Sequence, residues 1–470
     1  MPLGLYISVP FCKTKCTYCN FASDVFSRAV FDRYIARVCF EIEHAHETAE
    51  QMGGLIDDAV DSVYLGGGTP TILQVAQLER LFVTISQNFD LTANAEITVE
   101  CAPGTLSQAM VDALAGCGAN RVSLGVQSFV DREAASVGRL HKRETVLDDI
   151  ARLRAAEISN INVDLIAGLP HQTRESWDES LNELIALNVP HASVYMLEVD
   201  EDSRLGREVI AGGQKYHAHF VPDEDLTADM YEIACERLNG AGIQQYEISN
   251  FARAGWESKH NLKYWTRQPY LGVGVDAHSM LRVDGEGDGS KNCRNARLDD
   301  PGRARLPVVP KVQTDESFGT AERRALPGWH PIREALPQPV NSHGLPSPKS
   351  FSDNRVSARD LDCVRFATAD SLESYIAGAP LRQTPVSRHA ALEETFFLGL
   401  RLTKGVDLRR VAAEFGKDAL AGFSPILAEC AEAGLLEMQE NFVRLTPRGR
   451  LLSNEVFGRF ISIEAEVANG

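Results

Sequence analysis

Over the first two hundred residues, short apolar, β-branched runs alternate with longer stretches in which apolar residues recur every three or four positions. The short runs fall at Leu5–Val9, Ser62–Leu65, Glu96–Cys101, Arg121–Val126, Ile161–Ile166 and Ala192–Val199 and read as strands. The periodic stretches between them span Arg28–Met52, Leu73–Phe89, Leu106–Leu114, Arg143–Glu157 and Thr173–Leu187 and read as helices. Strand and helix in alternation imply parallel strands joined by right-handed crossovers. The α/β chain is therefore expected to form a partial (β/α)6, TIM-like barrel over residues 1–282, with functional loops at the C-terminal ends of its strands. A flat doubly wound sheet fits the same pattern.

Residues 283–360 break the rhythm. They hold nine of the chain's 21 prolines, with Gly, Ser and Arg between them, and read as an irregular insertion. From 361 to 470 the pattern is that of a small α+β domain. Helices are expected at Leu392–Leu400, Leu408–Phe415 and Pro425–Ala433, then a hairpin and a last helix in GLLEMQENFVRLTPRGRLLSNEVF. This order suits a winged-helix-like domain.

Charge narrows what that domain does. The chain carries a net charge of −18, which argues against a nucleic-acid partner and favours packing or protein contact. The opening MPLGLYISVP lacks a basic n-region and an apolar h-region, and no apolar run approaches the roughly 18 residues a membrane helix needs. A cytoplasmic protein is expected. In a reducing compartment, clustered cysteines more often hold metal than form disulfides.

Three of the ten cysteines are clustered: Cys12, Cys16 and Cys19 follow C-x3-C-x2-C in FCKTKCTYCNF, directly after the first strand. Thiolates suit zinc or an iron–sulfur cluster. A 4Fe-4S cluster normally takes four cysteines, so three would leave one iron open to a small molecule. Zinc with a fourth ligand elsewhere fits the same residues. Cys39, Cys101, Cys117, Cys235, Cys293, Cys363 and Cys430 read as structural thiols. YLGGGTPT ends the second strand with three glycines that let a ligand approach the backbone. Glu100, Gln127, Arg139 and Asp164 add polar groups at or near the ends of successive strands. Facing one mouth, they would make a site.

Together these motifs resemble the radical S-adenosylmethionine superfamily, and within it the branch that holds the oxygen-independent coproporphyrinogen III oxidase and its heme chaperone relatives. The resemblance runs from Tyr6 to about Ser279 and resumes near Val364. It implies a 4Fe-4S cluster on Cys12, Cys16 and Cys19, whose open iron chelates S-adenosylmethionine. It places Tyr6 and Tyr18 beside that site, and Gly67, Gly68 and Thr69 against the methionine part. Glu100, Gln127, Arg139 and Asp164 match positions that contact one or two S-adenosylmethionine molecules. In the enzymes of the superfamily, an electron from the cluster cleaves this cofactor to a 5′-deoxyadenosyl radical.

Two features separate the members of the branch. The oxidase has a further cysteine two positions after the third, where this chain has Phe21. HNLKYW, residues 260–265, resembles a motif that the chaperones link to heme, with His260 as an iron ligand and Tyr264 and Trp265 as apolar walls. The resemblance thus implies a heme chaperone, with no assigned catalytic residue, that passes heme to an acceptor such as a respiratory hemoprotein. Peripheral membrane contact through that acceptor and a homodimer are compatible with this reading. The alternative is the oxidase itself, converting coproporphyrinogen III to protoporphyrinogen IX.

Overall fold

The computed structural model describes residues 1–283 and 361–461. The expected insertion, beyond its first residue, lies outside the described residues, as does Cys293.

All six expected strands form: β1 (Leu3–Val9), β2 (Ala59–Gly67), β3 (Asp90–Cys101), β4 (Arg121–Gln127), β5 (Asn160–Ala167) and β6 (His191–Met196). They lie side by side in chain order and parallel, which excludes the doubly wound alternative. Such strands are covered on both faces, and β1 (LGLYISV) is buried along its whole length.

The sheet extends past both edges of this set. Beyond β6 come β7 (Gln244–Gln245) and β8 (Asn250–Ala252), with β8 antiparallel to β6. On the other side, β9 (Tyr270–Val273) runs parallel to β1, followed by antiparallel β10 (His278–Arg282), β11 (Leu361–Ala367) and β12 (Arg382–Ser387). The result is an open twelve-stranded sheet with a part-barrel of parallel strands at its centre. Residues 361–387, assigned from sequence to the C-terminal domain, belong largely to this sheet.

The helices follow their apolar stripes. Phe31–Glu43 buries Phe31, Tyr34, Ile35, Val38 and Ile42, the spacing of one helical face. The expected long helix from Arg28 to Met52 is divided: at His44 the backbone leaves helical values (φ −107°, ψ 18°), and Ala45–Gln51 forms a separate helix. Val75–Asn88, Gln108–Gly116, Arg143–Ala155 and Arg174–Ala186 match expectation. Ser107 and Thr173 cap two of them by accepting from the backbone N–H groups of Met110 and Ser176.

The small domain packs the helices Arg388–Gly399, Leu408–Phe415 and Ser424–Glu432 against a three-stranded sheet of β13 (Val406–Asp407), β14 (Leu436–Gln439) and β15 (Phe442–Leu445). The helical tail comes as two pieces, Pro447–Leu451 and Ser453–Arg459. Its own core centres on Phe396, Cys430, Val443 and Phe460. A buried ionic network ties it to the large sheet: Arg267 donates to Asp362 at 2.8 Å and to Glu394 at 3.0 Å, while Arg365 reaches Glu394 at 3.1 Å.

Candidate cofactor site at the sheet mouth

The loop that carries the three cysteines leaves the C-terminal end of β1 and folds back on itself. Asp24 N–H donates to the Pro10 carbonyl at 2.9 Å, and Cys12 N–H to the Asp24 carbonyl at 3.0 Å. Lys15 Nζ holds the turn from inside, donating to the carbonyls of Phe21 (2.6 Å) and Ser23 (2.5 Å). Neighbouring loops clamp the outside. Thr17 N–H donates to the Val137 carbonyl at 3.1 Å, and Asn20 donates to Asp200 at 2.8 Å. All three thiols are partly buried and free. Burial pushes the Cys12 and Cys19 thiols up, and each is raised further by the charge of Cys16.

Beneath the loop lies the glycine turn after β2. Gly67 has φ +93°, and a Cβ there would stand 2.9 Å from Ser8 Oγ and 3.3 Å from the Tyr6 hydroxyl. On Gly68 it would meet the Val9 carbonyl at 2.6 Å and the Phe11 carbonyl at 2.8 Å. No side chain fits either position, which explains the glycines. Thr69 N–H then donates to the Phe11 carbonyl at 2.8 Å, and its hydroxyl lies 3.9 Å from Cys12 Sγ.

Glu100, at the end of β3, accepts from Tyr64 Oη at 2.8 Å and from Gly67 N–H at 3.2 Å. Burial, with a smaller push from the nearby Asp164, raises its pKa to about 7. Asp164, on β5, accepts from Asn162 at 2.7 Å and Ser123 at 3.1 Å. Gln127 ends β4 with φ 69°. Its side chain and that of Arg139 converge over Gly125, where a Cβ would lie 3.1 Å from Gln127 Nε2 and from Arg139 Nη2. Arg139 also donates to Tyr18 Oη at 2.9 Å.

The expected residues other than His260 thus gather at one mouth, and the arrangement fits the implied cofactors. Gln127 Oε1 and Arg139 Nε are buried without a partner among the described residues, and buried polar groups require one. Among the described residues no three His, Cys, Asp or Glu converge on a point as a single metal ion requires. Cluster ligands, by contrast, bind separate irons. Three thiols on one loop suit a cluster that keeps one iron open.

Some lining residues escaped sequence reading. A small cavity is walled by Tyr6, Ser8, Gly67, Phe21, Val275 and Asp276. The last two arrive because β9 pairs with β1, and Gly274 (φ +99°) turns the chain where a Cβ would stand 2.5 Å from the Ser8 carbonyl. The two glycines in YLGVGVDAHS were the available signal.

His260 lies elsewhere. It belongs to the helix Lys259–Trp265, whose first N–H groups are capped by the Glu96 carboxylate at the start of the regular β2–β3 pairing. Its ring is fully buried, with Nδ1 3.0 Å from Ser62 Oγ and Nε2 2.9 Å from Tyr264 Oη. Burial lowers its pKa to about 3. Tyr264 and Trp265 are buried too, in a cluster with Tyr270 and Met280. The expected heme ligand therefore plugs the N-terminal side of the part-barrel, with neither ring nitrogen available to an iron in this arrangement.

The Radical SAM superfamily model matches residues 6–184, and the HemN C-terminal domain model matches residues 386–452. The solved structure of coproporphyrinogen III oxidase (HemN) from Escherichia coli, a radical SAM enzyme, superposes with a TM-score of 0.69 over 98% of this chain and 90% of that one. At 22% identity this likeness shows the fold. Sheet and cysteine loop thus define a radical SAM protein, a class that implies a 4Fe-4S cluster and S-adenosylmethionine.

The heme chaperone HemW of Bacillus subtilis is 32% identical over 97% of this chain and 98% of its own. HemW of Escherichia coli is 33% identical over 60% of this chain and 70% of its own. The mitochondrial radical S-adenosyl methionine domain-containing protein 1 of Bos taurus is 34% identical over 63% and 64%. The chain belongs to the HemW family.

Proposed function

We propose that this chain is a heme chaperone that binds heme and delivers it to an acceptor hemoprotein, with a respiratory enzyme as the acceptor. The observation that carries this reading is a three-thiol loop, with Phe21 against the cofactor cavity, in a chain that matches a HemW over nearly its full length.

In this reading Cys12, Cys16 and Cys19 hold the cluster. Tyr6 and Tyr18 flank it, and the Gly67–Thr69 backbone receives the methionine end of S-adenosylmethionine. Glu100 and Arg139 offer one anion and one cation to the zwitterionic amino-acid group, which matches its charges. Gln127 supplies a further acceptor, and Asp164 sets the charge behind Glu100. When bound, cluster and cofactor together supply one-electron reducing chemistry. The protein's part is to orient them and exclude water, as the Lys15 clamp and the packed glycine turn do.

No helix of the described residues is long and apolar enough to cross a membrane, which is compatible with a cytoplasmic protein that meets membranes through its acceptor. A homodimer is part of the proposal.

The competing activity is directly testable. Anaerobically reconstituted protein, given coproporphyrinogen III, S-adenosylmethionine and a reductant, is expected to form no protoporphyrinogen IX. Decarboxylation at a catalytic rate would make the chain an oxidase that tolerates Phe21.

A further inference from the structure

The turn that follows β9 places one acid on the wall of the cofactor cavity. Asp276 stands there with Tyr6, Ser8, Gly67 and Phe21. It is 8% exposed, and its backbone is left-handed, with φ 53°. Residues other than glycine seldom adopt that conformation, and where they do the surrounding structure must hold them in it.

Here it does so at four consecutive peptide groups. Gly274 N–H donates to Glu41 Oε2 at 3.1 Å, and Val275 N–H to Tyr34 Oη at 3.0 Å. Asp276 N–H donates to the Ala369 carbonyl at 2.8 Å, and Ala277 N–H to Thr368 Oγ1 at 2.9 Å. Glu41 and Tyr34 come from the helix Phe31–Glu43, whereas Thr368 and Ala369 directly follow β11. Tyr34 also donates to the Ser8 carbonyl at 2.6 Å, which ties the turn to β1 just ahead of the cysteine loop. Two distant segments thus fix where this one acid stands.

A structural ion pair would be the plain explanation. His278 Nε2 and Arg382 Nη2 approach Asp276 Oδ1 at 3.9 and 4.0 Å, both longer than a hydrogen bond, and Arg382 is largely exposed. Such a pair needs neither a left-handed backbone nor a place on the cavity wall.

The charges of the cofactor supply a better one. S-adenosylmethionine is positive at its ammonium and its sulfonium and negative at its carboxylate. Glu100 and Arg139 match the amino-acid group, which leaves the sulfonium, and a charge taken out of water unmatched is costly. Burial raises the Tyr6 pKa, and Glu100 and Asp276 both add to it, so the two acids act on the same stretch of the mouth.

We infer that Asp276 is a further cofactor-binding residue, whose carboxylate faces the sulfonium of S-adenosylmethionine. The inference rests on the placement of that cofactor in the reading above.

The test is calorimetry on the full-length reconstituted protein with two ligands, S-adenosylmethionine and S-adenosylhomocysteine, a thioether without the sulfonium charge. Asp276→Asn and Asp276→Gly are compared with wild type, because both residues accept a left-handed backbone. Each variant is expected to bind S-adenosylmethionine roughly tenfold more weakly and S-adenosylhomocysteine as wild type does. Unchanged affinity for S-adenosylmethionine, or an equal loss for both ligands, would overturn this inference and leave the cofactor placement standing. Failure of the wild type to bind S-adenosylmethionine would overturn both.

Discussion

Tyr64 Oη donates to Glu100 Oε1 at 2.8 Å, and the same carboxylate receives Gly67 N–H at 3.2 Å. One acid therefore joins the core of the part-barrel to the glycine turn at its mouth. Its pKa of about 7 is set first by burial and then by Asp164, with Tyr64 and Gly67 opposing them. A carboxyl raised this far binds its proton more tightly folded than unfolded, so between about pH 4.5 and 7 the ligand-free protein loses stability as pH rises.

Glu100→Gln removes that penalty. The ligand-free variant is expected to be more stable than wild type at pH 8 by about 1–3 kcal/mol, discounted for the exposed edge of the carboxylate, and unchanged near pH 4.5. S-adenosylmethionine binding, measured by calorimetry on reconstituted protein, is expected to weaken. Equal melting temperatures at pH 8, or unchanged affinity, would remove Glu100 from this role.

Replacing Cys12, Cys16 or Cys19 singly by Ser should abolish the cluster, because no fourth thiol stands in the loop. Iron and sulfide content of the reconstituted protein checks this. The same change at Cys235 or Cys117, both outside the mouth on the helix Glu224–Gly240 and at the end of Gln108–Gly116, should leave the content intact.

Gly68→Ala places a methyl 2.6 Å from one carbonyl and 2.8 Å from another. Backbone cannot swing aside as a long side chain can, so a loss of roughly 1–3 kcal/mol is expected. The damage should spread to the cysteine loop, since Phe11 belongs to it. Thermal melting and cluster retention would both fall, and a variant normal in both would show the turn to be looser than described.

His260 has a pKa near 3 in the folded protein against an ordinary 6.5. The unfolded chain binds the extra proton first, so its contribution is complete above pH 6.5 and is lost as pH falls towards 3. His260→Ala strands the Ser62 and Tyr264 hydroxyls and should cost on the order of 2–4 kcal/mol at pH 7. It should also flatten the acid limb of the stability curve. A stable H260A with heme binding abolished would restore the imidazole as a ligand.

Much of this was readable from the chain. The six central strands and the cysteine loop were legible because a parallel strand buried on both faces is a continuous apolar run, and because the thiols sit in one short segment. β9 was not, since four residues between Pro269 and Gly274, with a glycine among them, carry no periodicity. That β11 and β12 join the large sheet was not legible, because β10, the partner of β11, lies across the proline-rich stretch. The surroundings of His260 were not legible for a physical reason: a histidine beside Tyr and Trp looks the same in sequence whether it faces a porphyrin or a buried serine.

The most direct test of the account is whether heme is held and then passed on. Protein reconstituted with its cluster under anaerobic conditions is loaded with heme, desalted and mixed with an apo-hemoprotein, and the Soret band is followed into the acceptor. The account expects a band that survives desalting and then moves to the acceptor. A band lost on desalting, or one that stays on this protein, would contradict it.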